Sequence, residues 1–337
     1  TKYLNLAKIL NKKNTMKKLT KLLSVAVLAF TLFSCSDDEK KERTIAEVAQ
    51  RSPNLSILVE ALVKTGLAET FDSPGAYTVF APTNDKFEAF LAANGFASLD
   101  DVPVDVLTEV LKNHVIAGEF YSDDISTGYV KTLAVGGASN SNTLSMYINV
   151  TNDGVIINGG SANGGGTVTA YDIKASNGVI HVVDGVLRLP TVVNHAIANP
   201  SFSTLVAALT FNPSSGFAST LSGTASSPFT VFAPTNDAFG AFLAETGFSG
   251  LGAIPANVLE STLKYHVVTG ANVLSTSLTN GQSVSTFAGQ NFTINISGTS
   301  ASITDANNRV SGIIATDVQC SNGVIHVINK VLLPSLN

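Results

Sequence analysis

Five histidines, one recurring aspartate and two cysteines are the residues of this 337-residue chain whose chemistry could carry a reaction. Asp85 and Asp237 stand in matching contexts, so they invite a test as paired carboxylates of glycoside cleavage. Each also follows a Pro-Thr-Asn turn at the start of an apolar helical pattern, where a negative charge suits the helix dipole. The helix reading is the simpler one. His114 and His266 fall on apolar helix faces near C-termini, where an imidazole can bond the last carbonyls and a cationic ring suits the dipole. His181 and His326 lie inside apolar strands and are expected to be buried and hydrogen-bonded. His195 has no counterpart, Val48 standing in its place, and reads as a local helix feature. There is no His-x-x-x-His, no cysteine pair and no Asp-rich calcium loop, so no metal box is expected. No Gly-x-Ser-x-Gly elbow or phosphate loop is present either. The expectation is no cofactor and no enzyme.

A duplicated unit must position these residues. Thr78-Val79-Phe80-Ala81-Pro82-Thr83-Asn84-Asp85 returns unaltered as Thr230-Val231-Phe232-Ala233-Pro234-Thr235-Asn236-Asp237. Thr-Val-Phe reads as a buried strand that Pro82 stops. Thr83 and Thr235 then stand as N-caps, Phe87, Phe90 and Leu91 follow at helical spacing, and Gly95 marks the C-cap. Before this corner, Thr44–Leu62 reads as helical; after it, Val106–Ile116 and its twin Val258–Val268 read as further helices. Period-two patterns then predict hairpins at 144–157 and 292–304. Stretches 136–143, 158–166 and 214–227, rich in Gly, Ser and Asn, read as surface loops. Helices first and strands afterwards predict an α+β fold.

A second signature, Ser176-Asn177-Gly178-Val179-Ile180-His181-Val182-Val183-Asp184, recurs in near-identical form at 321–329. The two signatures, in this order and used twice, resemble the fasciclin (FAS1) domain. The resemblance implies two tandem FAS1-like domains, 44–190 and 191–337, each a wedge-like β-sheet assembly packed with a helical layer. They join at Leu189-Pro190-Thr191 with no flexible linker, which should restrict their relative motion. The resemblance also implies adhesion. Tyr265-His266 matches the family's Tyr-His pair, proposed there as part of a recognition surface, whereas the first unit departs from it with Asn113-His114. Asp172-Ile173 resembles a second short adhesive motif, with Asp317-Val318 the weaker counterpart, and capping or turn formation by the aspartate accounts for them equally well.

The leading segment reads as an address rather than as fold. Residues 1–15 read as an upstream extension and Met16 as the start. Residues 16–34 read as a signal peptide, with the basic Met16-Lys17-Lys18 ahead of an apolar run from Leu22 to Phe33. Leu32-Phe33-Ser34-Cys35 resembles the lipobox of bacterial lipoproteins, so Cys35 is the expected lipidation site, and residues 35–43 form the lipidated Cys and an acidic tether. The expected location is the outer membrane, with the chain surface-exposed. Cys35 lipidation leaves Cys320 alone, a small buried apolar residue rather than a nucleophile. Seven of the 20 basic residues precede Cys35 and none of the 25 acidic ones do, so the processed chain is strongly acidic. With no Trp, it suits neither nucleic acid nor an anionic bilayer, and its membrane contact would be the lipid anchor only. The expected function is non-catalytic adhesion to extracellular matrix, polysaccharide or a cell-surface protein. The alternative is a structural scaffold lipoprotein holding a fixed envelope partner.

Overall fold

The computed structural model describes residues 42–139 and 141–335, which hold two units of like build. In the first, α1 (Ile45–Gln50), α2 (Ser56–Lys64) and α3 (Ala68–Asp72) lead into β1 (Tyr77–Pro82). Helices α4 (Asn84–Ala93) and α5 (Val104–Lys112) follow, then β2 (Val115–Ala117), β3 (Gly128–Val135), β4 (Thr143–Thr151), β5 (Gly154–Ile157), β6 (Gly166–Ala175) and β7 (Gly178–Val183). The second unit comprises α6 (Val192–Ala198), α7 (Ser203–Thr210), α8 (Phe217–Ser222), β8 (Phe229–Pro234), α9 (Asn236–Thr246) and α10 (Ala256–Tyr265). It ends with β9 (Val267–Thr269), β10 (Ser283–Ser285), β11 (Asn291–Ser297), β12 (Ser300–Thr304), β13 (Val310–Cys320) and β14 (Gly323–Ile328). The class is α+β.

The sheet of the first unit closes in the order β1 to β7, with β1 lying parallel to β7. In the second unit the order is β10-β11-β12-β13-β14-β8-β9, and β8 lies parallel to β14. Thus the wedge expected from the sequence is a closed barrel in one copy and an open sheet in the other. Side chains alternate across β1: Val79 and Ala81 enter the core beneath the helices, and Phe80 enters the barrel interior with Ile116, Met146 and Ile148. The second copy repeats this, with Val231 and Ala233 on the helical side and Phe232 inside the sheet.

Three expectations need correction, the first being that 214–227 is a surface loop: it holds α8, whose Phe217 and Leu221 are buried. The helix predicted over Val106–Ile116 begins at Val104 and stops at Lys112, and its twin stops at Tyr265. Val115 and Ile116 instead pair with Val79 and Thr78 as β2, since sheet hydrogen bonds to β1 outweigh the helical spacing of two β-branched residues. The stretches 136–143 and 158–166 are not free surface loops. Ala138 N–H donates to the Ser321 carbonyl (3.2 Å), and Asn163 Nδ2 donates to the Asn194 carbonyl (2.8 Å). Both loops therefore knit the first domain to the second. Lys131 Nζ in β3 donates to the Asp317 carbonyl (2.8 Å), and Gln319 N–H donates to Ser145 Oγ in β4 (3.0 Å), adding links from both strands to β13.

One histidine in each domain ties the helical layer to the chain that leaves the sheet. His114 Nδ1 donates to the Val110 carbonyl (2.7 Å) while Nε2 accepts from Leu187 N–H (2.9 Å). His266 does the same with Thr262 (2.7 Å) and Leu332 (2.9 Å). An Nε2 that accepts carries no proton, so both rings are neutral, and each bonds a carbonyl of its helix without adding charge at the dipole. Burial, partly opposed by the carbonyl contact, holds each pKa at about 4. The unfolded chain, titrating near 6.5, binds the extra proton more readily between these values. The stabilisation is therefore complete above about pH 6.5 and is lost as pH falls toward 4, by up to about 3 kcal/mol per histidine. Urea midpoints should drop between pH 7 and pH 4.5. A flat profile for the native protein would contradict the neutral, buried assignment.

Candidate functional site

Each residue singled out by its chemistry has a definite place. Thr83 occupies the N-cap of α4 but makes no capping bond, because its hydroxyl turns to the Asp85 carboxylate. Thr235 does cap α9, accepting from Ala238 N–H at 3.3 Å. The Thr83 hydroxyl, and then the neighbouring Lys86 at 3.0 Å, hold Asp85 below the usual carboxylate range. Asp237 is exposed on the other domain. The two aspartates thus head separate helices in separate domains and share no site.

His181 and His326 are fully buried in β7 and β14. His181 Nε2 donates to the Phe120 carbonyl (2.9 Å), Nδ1 accepts from Asp172 N–H (3.3 Å), and the ring stacks on Phe80. His326 Nε2 reaches the Val273 carbonyl (2.8 Å) and stacks on Phe232; burial lowers its pKa. His195 is likewise buried, edge-on to the Tyr129 ring of the first domain at 5.5 Å. Burial, with the charge of Lys131 nearby, holds its pKa at about 3. It is an interdomain wedge rather than a local helix feature. Cys320, at the end of β13, is fully buried, and burial pushes its thiol well up, which removes it as a nucleophile.

The adhesive candidates fare differently. Tyr265 and His266 are buried, so they form no exposed recognition surface. Tyr265 Oη donates to the Asn291 carbonyl (2.7 Å) and accepts from Ala306 N–H (3.0 Å), and burial raises its pKa to about 12. Asp172 lies within β6 at an irregularity of the β6–β7 ladder, with φ +61°. Its carboxylate accepts from Ser122 N–H (2.8 Å) and Ser122 Oγ (2.6 Å), which hold it below the usual carboxylate range. Asp317 repeats the left-handed backbone and the serine partner, here Ser275. Ile173 packs against the helical core. The motif is a bulge device that pins a loop. Cys35 lies outside the described residues.

The repeated polar residues share this internal character. Thr78 Oγ1 donates to the Gly118 carbonyl (2.8 Å) and accepts from Phe120 N–H (2.9 Å); Thr230 does the same with Ala271 (2.8 Å) and Val273 (2.9 Å). Asn84 and Asn236 each join an N–H and a carbonyl of the helical layer, Ile57 with Pro53 and Thr204 with Pro200. No group of three or more His, Cys, Asp or Glu among the described residues could hold a metal ion. Hollows beside His114 and His266 offer about 20 Å³ each, room for little more than one water. A roomier cleft of about 210 Å³ opens beside α4, lined by Lys86, Phe90, Ala93, Gly165, Asp184 and Arg188. These residues escaped the sequence reading, which weighed what the copies share. The usable signal was where their charges differ.

Removing a buried ring leaves its carbonyl partner, Phe120 or Val273, unpaired. His181→Ala and His326→Ala should each cost about 2–3 kcal/mol in urea unfolding. Unchanged stability would show that these rings do not brace the sheet.

The fasciclin domain matches residues 53–190 and 200–334. Protein sll1483 of Synechocystis is 40% identical over 147 residues, covering 44% of this chain and 74% of its own length. Transforming growth factor-beta-induced protein ig-h3 of Sus scrofa is 29% identical across 80% of this chain, and periostin of Homo sapiens 28% across 80%. This chain spans 36% and 29% of those two longer proteins. A solved FAS1 domain pair from the insect cell adhesion molecule Fasciclin I superposes with a TM-score of 0.51 at 21% identity, covering 83% of this chain and 97% of that one. Matches over both halves, joined to the duplicated fold, place the chain in the fasciclin domain family as a tandem pair of FAS1 domains.

Proposed function

We propose that this chain is a non-catalytic adhesion module, held on the outer membrane by lipid on Cys35 and displayed outward. Its ligand would be extracellular matrix, polysaccharide or a cell-surface protein. The observation that carries this reading is the internal use of the signature side chains: Thr78, Asn84, His114, His181 and their counterparts hold the fold and leave no reactive centre at the repeated motifs. Family membership supports it, since a FAS1 pair occurs in an insect cell adhesion molecule. Recognition then falls to exposed clefts and edges. Two domains bridged through Lys131, Ala138 and Asn163 present their surfaces together, and a second tethered contact raises avidity without new chemistry.

Cells carrying the chain should adhere to surfaces coated with its ligand, found by screening matrix proteins and polysaccharides against the purified protein. Cys35→Ala should abolish cell adhesion while the purified variant binds as before. Adhesion that survives Cys35→Ala would refute the anchor. Retention by one envelope protein alone, with no external ligand, would favour the scaffold instead.

A further inference from the structure

The two domains treat one place in opposite ways. In the second domain, Arg309 stands immediately before β13 and folds over the end of α9. Its guanidinium bonds Glu245 at 2.7 and 3.0 Å, Asp305 at 3.1 Å and the Val331 carbonyl at 2.7 Å. The repeated signatures align Glu245 with Ala93 and Val331 with Val186, and the strand registers align Arg309 with Gly164, two residues before β6. Gly164 holds φ +78°, a backbone that disfavours a side chain, and a Cβ there would lie 3.1 Å from Arg188 Cδ. The first domain therefore lacks the arginine that fills this place in the second, and the cleft of about 210 Å³ opens there.

The charge of the walls has also reversed. Glu245 gives way to Ala93 and Asp305 to Gly159, while Ala238 gives way to Lys86 and Leu333 to Arg188. Two cations now face the cleft of a net-acidic chain, so the guest is not another arginine. The Arg188 guanidinium makes no hydrogen bond or ion pair among the described residues, and its methylenes pack over Gly164. Lys86 holds only Asp85, an exposed pair of the kind that exchanges partners readily. The third charged wall, Asp184, replaces Asn329 and spends Oδ1 on Thr167 N–H (2.6 Å). A carboxylate beside two cations disfavours a bare phosphate or sulfate but accepts from hydroxyls. Phe90 adds an apolar ring for a C–H face.

We propose that this cleft binds a carboxylate-bearing sugar ring, one uronate residue of an acidic polysaccharide. Lys86 and Arg188 take the carboxylate, Asp184 accepts from ring hydroxyls, and Phe90 supports the ring. The volume falls below the ~300–1,000 Å³ of drug-sized sites, so one ring enters at a time. The inference rests on the adhesive reading and names its ligand on the first domain.

The test is calorimetric titration of the purified protein with galacturonate oligosaccharides, their methyl esters, a neutral malto-oligosaccharide and an oligoglutamate peptide. Galacturonate should bind, and the methyl ester, Lys86→Ala and Arg188→Ala should each weaken binding about tenfold, as loss of a charge-assisted contact does. Ala93→Trp, an exposed change that fills the cleft, should abolish binding, with thermal unfolding confirming an intact fold. Undiminished affinity in the folded variants would overturn the proposal, as would equal affinity for oligoglutamate. If matrix proteins or neutral glycans bind while uronates do not, adhesion stands and the cleft assignment falls. If uronates bind through the cleft but cells do not adhere, the cleft stands and the adhesive role falls.

Discussion

An asparagine–glycine corner at the head of the closing strand holds each domain together. Asn177 accepts from Ile45 N–H (2.8 Å) and donates to the carbonyls of Phe71 (2.9 Å) and Ser73 (2.8 Å), tying the start of α1 to the end of α3. Gly178 follows against β1, where a Cβ would lie 2.0 Å from the Tyr77 carbonyl oxygen. The parallel β1–β7 pairing begins at this pair of residues. Asn322 repeats the three bonds with Val192, Leu221 and Gly223, and Gly323 the close approach to Phe229. Parallel strands need a long crossover between them. Here the crossover spans most of the domain, and the corner is what closes it.

Duplication separates structure from function in this chain. Residues retained in both copies spend their polar atoms on the fold, whether at the Thr78 bridge, the Asn84 clasp or the neutral His114 and His266. Among the residues that differ, His195 lies at the domain boundary and Lys86, Ala93 and Arg188 at the cleft. His195 has no counterpart because it meets a boundary that only one copy possesses at that position, packing against Tyr129. Arg309 and Gly164 make one cleft full and the other open. The second domain thereby gains a clasp over its helix end, and the first keeps an accessible recess.

Much of this was legible beforehand. Strand β1, helix α4 and the closing strand were readable from Pro82, the apolar spacing and the β-branched run, all local signals. Strand β2 was not, because Val115 and Ile116 extend a helical pattern and only their pairing with β1 makes them strand. Asp172 looked like a surface motif because sequence carries no sign of its φ of +61° or of its serine partner fifty residues away. Tyr265 looked available for recognition, yet its hydroxyl is taken up by Asn291 and Ala306. The glycine-rich loops read as surface because composition reports flexibility, whereas 136–143 and 158–166 are held by long-range contacts to Ser321 and Asn194. The cleft needed both a charge comparison between copies and a register that sequence alone does not supply.

The central claim is that the shared signatures are structural, and the asparagine corner tests it most directly. Urea unfolding of Asn177→Ala and Asn322→Ala would be measured beside ligand binding. Each change leaves one buried N–H and two carbonyls without their side-chain partner, so the altered domain should lose about 3 kcal/mol or more. Native stability combined with lost binding would contradict the account and return the signature to the recognition surface.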